Sequence, residues 1–172
     1  WGIEIVVGFE IGYFKDNPTG HDVDWTRPVE HVIGRSLDGG RTWNVERPAG
    51  LRPPAKLKVA GLVAAEGGKQ PGPCPGGIDF THPDFAITFR MSEINGGPSR
   101  FYHSSDRGRS WEGPYSLPDF GQPGTAARTD YIVEGKHELL AFITVAKRNR
   151  REGRVAAVRT RDGGKSWDLV SF

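Results

Sequence analysis

Ser36-Leu37-Asp38-Gly39-Gly40-Arg41-Thr42-Trp43 decides how this chain is read, because the stretch returns twice. The second copy is Ser104-Ser105-Asp106-Arg107-Gly108-Arg109-Ser110-Trp111, and the third is Thr160-Arg161-Asp162-Gly163-Gly164-Lys165-Ser166-Trp167. Each copy has a hydroxyl residue first, Asp third, Gly fifth, a second hydroxyl seventh and Trp last. They begin roughly 60 residues apart, hairpin-array spacing and too long for a small solenoid turn. The Asp carboxylate is expected to accept hydrogen bonds from backbone N–H groups a residue or two ahead, while the fifth-position Gly supplies the positive φ of a tight hairpin. The two hydroxyls close remaining backbone groups, and Trp is a large apolar anchor.

Working outward, each copy sits between strand-like runs: 30–35 and 43–46, 100–104 and 111–116, 154–160 and 167–172. Three hairpins follow. Further strands precede them. Residues 3–14 alternate Ile5, Val7, Phe9, Ile11 and Tyr13 against Glu4, Val6, Gly8, Glu10 and Gly12, which assigns the first set to the core. Residues 85–90 alternate Phe85, Ile87 and Phe89 against Ala86, Thr88 and Arg90. Residues 128–134 and 138–147 flank a turn at 134–137, so the third unit reads strand, strand, strand, repeat, strand. The second unit offers only a short first strand at 78–81. A Pro- and Gly-rich connection spans 47–77, with one strand at 56–65. No helical pattern competes, and the expected class is all-β, in four-stranded antiparallel sheets.

Composition agrees with a folded domain. Of 172 residues, 24 are Gly and 13 Pro, 36% are hydrophobic, 26% are charged, and the net charge is +2. The apolar stretch from Leu139 to Ala146 is far shorter than the ~20 residues of a membrane-spanning helix. The single cysteine, Cys74, excludes an internal disulfide framework. His21, His31, His82, His103 and His137 show no metal-ligand spacing, and no metal or cofactor is expected. The chain opens at Trp1 on a strand without an initiator Met or leader, so it reads as a fragment or processed product of unassigned localisation.

The repeated octapeptide resembles the Asp-box, or bacterial neuraminidase repeat, and most of the chain looks like part of a sialidase-superfamily β-propeller. That resemblance implies about three blades of a six-bladed fold, with boxes at Ser36, Asp38, Gly40 and Trp43, at Ser104, Asp106, Gly108 and Trp111, and at Thr160, Asp162, Gly164 and Trp167. It also implies that the boxes are structural turns away from the active site. The remaining blades, or a self-association partner, are then needed to cover exposed blade faces and edges.

Function rests on the site and not on the fold. In the family, a strand ending in an arginine precedes a loop, a further strand and an Asp-box, and the arginine grips the carboxylate of the sugar. Phe85-Ala-Ile-Thr-Phe-Arg90, the Asn95-Gly-Gly turn and Arg100-Phe-Tyr-His before the second box are similar to that arrangement. Arg90 is therefore the leading carboxylate-binding residue, and bidentate capture is the reason for an arginine. Its other use is as a solvated strand-end cation. Arg128 and Asp130 are two apart on an expected strand and share a face, where they orient an anionic sugar or neutralise each other. Asp84, in His82-Pro-Asp84, is a candidate acid or base beside Asp130. Glu10 stands between Gly8 and Gly12, which leave room for a ligand.

Thr26-Arg27-Pro28 and Leu51-Arg52-Pro53 match the family's opening Arg-Ile-Pro segment only superficially, and no position carries the motif of its nucleophilic tyrosine. The basic run Lys147-Arg-Asn-Arg-Arg151 reads as a solvated hairpin tip, not a nucleic-acid patch. Asn17-Pro18-Thr19 is spoiled as a glycosylation acceptor by its proline. The expected activity is sialidase-like exo-hydrolysis of an anionic sugar, with a carbohydrate substrate, no nucleic acid and no membrane span. The alternatives are a non-catalytic propeller that binds glycans or proteins, and a polysaccharide lyase on a related propeller.

Overall fold

The computed structural model describes residues 1–18, 20–24, 27, 30–51, 69–92, 97–128 and 130–172. The strand expected at 56–65 and the turn residues Asn95 and Gly96 lie outside the described residues, as do Thr19, Thr26, Pro28, Arg52 and Pro53. Thirteen strands are described, and the helical content among the described residues is one 3-10 turn at Ala49–Leu51. No described helix is long and apolar enough to cross a membrane.

The strands form three main antiparallel sheets, each built around one repeat. In the first, β1 (Ile5–Ile11), β4 (Glu30–Ser36) and β5 (Asn44–Glu46) lie in that order. Between β1 and β4 the chain makes a separate hairpin, β2 (Phe14–Asn17) with β3 (Gly20–Val23). The second sheet is β6 (Ala86–Met91), β7 (Ser99–Ser104) and β8 (Glu112–Ser116). The third runs β10 (Tyr131–Gly135), β11 (Glu138–Ala146), β12 (Gly153–Thr160) and β13 (Asp168–Ser171), with β9 (Thr125–Ala126) also paired to β11. β9 and β10 lie along the same strand, β11, as one interrupted edge.

The repeats hold their turns as the chemistry requires, at a longer reach. Asp38 Oδ1 accepts from the N–H groups of Arg41 and Thr42, both at 2.9 Å, three and four residues ahead instead of one or two. Its Oδ2 accepts from the Thr42 hydroxyl at 2.7 Å, and the Ser36 hydroxyl accepts from Gly40 N–H at 2.8 Å. Asp106 and Asp162 reproduce the pattern with Ser110 and Ser166. Gly40, Gly108 and Gly164 take φ of 91°, 75° and 91°.

The sheets stack face to face. Phe89 and Phe101 of the second sheet meet Trp167 of the third with ring centroids 5.9 and 5.7 Å apart, in a core continued by Ile87, Leu139, Ile143 and Val158. The opposite face of the second sheet packs on the first through Tyr102, Ile33 and Leu51, with Val6 and Trp111 against them. An ion network joins the same two sheets. Glu4 accepts from Arg107 at 2.9 Å and Arg109 at 3.2 Å and also pairs with buried Arg35, which bonds Glu46.

Four expectations change. Among the described residues the first two sheets have three strands each instead of four, while the third has the expected four-strand path with β9 added beside β11. The apolar face of β1 is inverted: Ile5, Val7, Phe9 and Ile11 are exposed, and the face of Val6, Gly8 and Glu10 meets the second sheet. Alternation identifies two faces but not which one finds a neighbour. Residues 78–81 form no strand; instead Gly77 and Ile78 donate to the carbonyls of Asp162 and Gly163, and Phe80 donates to Lys136 O. The segment thus follows the third repeat's turn. Arg128 and Asp130 fall outside β9 and β10, so strand alternation does not place them on one face.

Candidate functional site

The repeats collect at one end of the stack. Arg35, next to the first, donates to Arg107 O in the second at 3.0 Å, and residues 77–84 run from the third to the second. Asp84 belongs to this end, because its Oδ1 accepts from Arg107 Nε at 2.6 Å. Arg90 lies four residues beyond Ala86 on β6, roughly 13 Å up the strand. Asp84 therefore does not share a site with it, and its contacts tie the segment before β6 to the second repeat.

At the other end, β1, β4, β6 and β7 bring four polar side chains into the space between the first two sheets. Arg90 and Arg100 are direct cross-strand partners, and Glu10 and His31 are the same across β1 and β4. His31 Nε2 lies 3.0 Å from Glu10 Oε1. Gly8 makes the room anticipated beside Glu10, and Arg90 fills it: a Cβ at Gly8 would stand 3.0 Å from Arg90 Nη2. Arg100 is buried and donates to the Tyr102 hydroxyl at 3.2 Å and to Ser92 Oγ at 3.4 Å.

Arg90 differs from its partner. Its Nε and Nη2 are buried and have no hydrogen-bond partner among the described residues. Burial pushes its pKa down, the Glu10 carboxylate opposes that, and Arg100 adds to the lowering. The hydrogen bond from His31 holds the Glu10 carboxyl below its ordinary range against the opposing effect of burial. For His31 burial dominates and favours the neutral ring, with Glu10 pulling the other way. A neutral His31 that donates from Nε2 leaves Nδ1 as an acceptor, and that atom too is buried without a partner among the described residues. Two guanidinium groups thus face one carboxylate, an excess of positive charge with open N–H groups. Such a cluster suits an anion with planar oxygens, which a guanidinium can bind in bidentate fashion. The Glu10 side chain is 43% exposed, so the cluster opens to solvent on that side.

Arg128 and Asp130 lie elsewhere. Ala127 N–H donates to Ser99 Oγ at 3.0 Å, on the face of the second sheet that meets the third, opposite the face of Arg90. Both residues are exposed, and Asp130 contributes its carbonyl to Phe142 N–H at 2.9 Å. The structure therefore brings Glu10 and Arg90 together and leaves Asp84, Arg128 and Asp130 apart from them. His31, Arg100 and Tyr102 were missed. Reflection of Arg90 about Asn95 would have found Arg100, since an antiparallel hairpin pairs residues equidistant from its turn. His31 was hidden by the intervening β2–β3 hairpin.

The basic run Lys147–Arg151 is an exposed tip between β11 and β12, as expected, and Lys147 pairs with Glu152 at 3.0 Å. No group of three or more potential metal ligands occurs among the described residues. Comparison of the chain with known protein families found no matching family, and comparison with curated proteins found no matching relative.

Proposed function

We propose that this chain is part of a sialidase-type Asp-box β-propeller, and that Arg90, with Arg100, holds the carboxylate of an anionic sugar, with Glu10 orienting Arg90 beside it. The observation that carries the reading is half-buried Arg90, whose buried Nε and Nη2 lack an acceptor among the described residues. Burying a charge without a partner is costly, so a guanidinium kept in that state is best explained by an anion that completes it. The order of elements supports the sialidase resemblance: an arginine near the end of a strand, a turn, a strand and a repeat. In the leading reading the full site carries out exo-hydrolysis, for which retaining glycosidases need two positioned catalytic groups.

A second reading, binding without turnover, is favoured by two features. Tyr102 is fully buried and its hydroxyl accepts from Arg100, which does not suit a nucleophile. Glu10 is tied to His31, and Asp84 is at the far end. The two readings separate in one assay. Release of a fluorophore from a 4-methylumbelliferyl sialoside, abolished by Arg90→Ala, supports the hydrolase. Saturable binding of sialic acid without release, lost in the same variant, supports the binding module. If Arg90→Ala changes neither, the site assignment is wrong.

A further inference from the structure

His31 carries a ring nitrogen that the fold leaves idle. The residue stands on β4 directly across from Glu10 on β1, is 9% exposed, and commits Nε2 to the Glu10 carboxylate 3.0 Å away. Its Nδ1 is buried and has no hydrogen-bond partner among the described residues. An idle neutral acceptor costs less than an idle charged donor, so the empty fold keeps this nitrogen free of a proton.

The groups that face the ring act in the same sense. Arg90 on β6 and Arg100 on β7 disfavour a charged His31, while Glu10 on β1 favours it. Glu46 on β5 shares the face through its register partner Ile33, but Arg35 holds its carboxylate at 2.7 Å. Tyr102 on β7 is occupied as the acceptor of Arg100. A protonated His31 therefore lacks two things at once, an acceptor for Nδ1–H and a negative charge against two guanidinium groups. Arg90 lacks an acceptor as well, at Nε and Nη2. Its Nη2 lies against Gly8, on the same face of β1 as Glu10 and roughly 7 Å along the strand from the Glu10–His31 pair. One anion between the two sheets answers both residues.

We propose that the anion held by Arg90 also accepts a hydrogen bond from Nδ1 of His31, which takes up a proton from solvent as the anion enters, so that the site fills more readily as pH falls. No covalent bond other than that N–H changes. The coupling is reciprocal: the proton strengthens anion binding by the same factor as the anion strengthens proton binding. The hydrogen bond from His31 keeps the Glu10 carboxyl below its ordinary range, so a change in affinity near neutral pH belongs to the imidazole. The inference rests on the Arg90 cluster being an anion site, and it holds whether or not that anion is a sugar.

A chemical-shift titration of the 172-residue chain tests it, following the histidine ring resonances with N-acetylneuraminic acid at pH 8 and at pH 5. A parallel titration uses nitrate, which has planar oxygens and stays an anion at both pH values, against chloride at equal ionic strength. For the wild type, Kd should be lower at pH 5 by about tenfold, an ordinary size for coupling between two sites. One histidine resonance should titrate at higher pH in the saturated protein than in the empty one. His31→Gln keeps a side-chain N–H for Glu10 but takes up no proton, so that resonance should be missing and Kd should be equal at the two pH values. A wild-type Kd that does not change, or a pH trend that survives in His31→Gln, overturns the inference and leaves the carboxylate site standing. Nitrate binding with the His31-dependent trend, where the sugar does not bind, upholds the inference and removes the sugar. If neither anion binds, both fall. Should His31→Gln lose its β signal by circular dichroism, the wild type decides alone: saturation that shifts no histidine titration overturns the inference.

Discussion

Asp38 makes its hydrogen bonds only as a carboxylate, and that gives the repeat a pH signature. Backbone and hydroxyl bonds from Thr42, then the Ser36 hydroxyl, hold its pKa down at about 2, from an ordinary 3.8. Asp106 is also lowered to about 2, where burial alone would raise it and bonds from Ser110 and Ser104 prevail. Because the unfolded chain binds these protons first, stability rises with pH through this interval. The contribution is complete above about pH 4 and is lost as pH falls toward 2. Thermal midpoints should fall steeply between pH 4 and pH 2, and Asp38→Asn should lower the midpoint at pH 7 while flattening that slope. An unchanged slope in Asp38→Asn would remove the repeat from the acid response.

At the scale of the element, the same turn is used differently in each sheet. Gly39 and Gly163 hold the fourth position of their repeats with φ of 74° and 68°, and Arg107 holds it in the second at 60°. A Cβ at Gly39 would meet nothing within 4 Å, whereas at Gly163 it would overlap the backbone of Gly77 and Ile78. Gly39→Ala should therefore cost only the left-handed backbone penalty of about 1–2 kcal/mol. Gly163→Ala should cost clearly more by urea denaturation, because the segment bonded to the third repeat must move. Equal costs would mean that segment 77–80 is not held there. The hairpins were legible from the repeats alone, since each octapeptide carries its own acceptors, donors and glycines. What was not legible depends on neighbours far along the chain. The sequence of β1 has two plausible faces, and only the second sheet selects the one with Gly8 and Glu10. Residues 78–81 look like a strand, yet Ile78 bonds to Gly163 in the third repeat's turn and Phe80 to Lys136. Arg90 and Glu10 could each be singled out as candidates, but their meeting across two sheets could not be read from spacing.

For the whole molecule, the stack has opposed ends with different content: repeats and the Glu4–Arg35–Arg107 network at one, the under-neutralised Glu10–His31–Arg90–Arg100 cluster at the other. If the cluster exists to hold an anion, it weakens the empty protein. Removing Arg90 relieves its repulsion with Arg100, and Glu10 keeps its contact with His31. The direct measurement is the thermal midpoint of the wild type and of Arg90→Leu, each titrated with N-acetylneuraminic acid. The account predicts that Arg90→Leu melts no lower than the empty wild type, and that the ligand raises the midpoint of the wild type alone. A variant that melts well below the wild type, together with no ligand-induced rise in either protein, would contradict it and make Arg90 a structural residue.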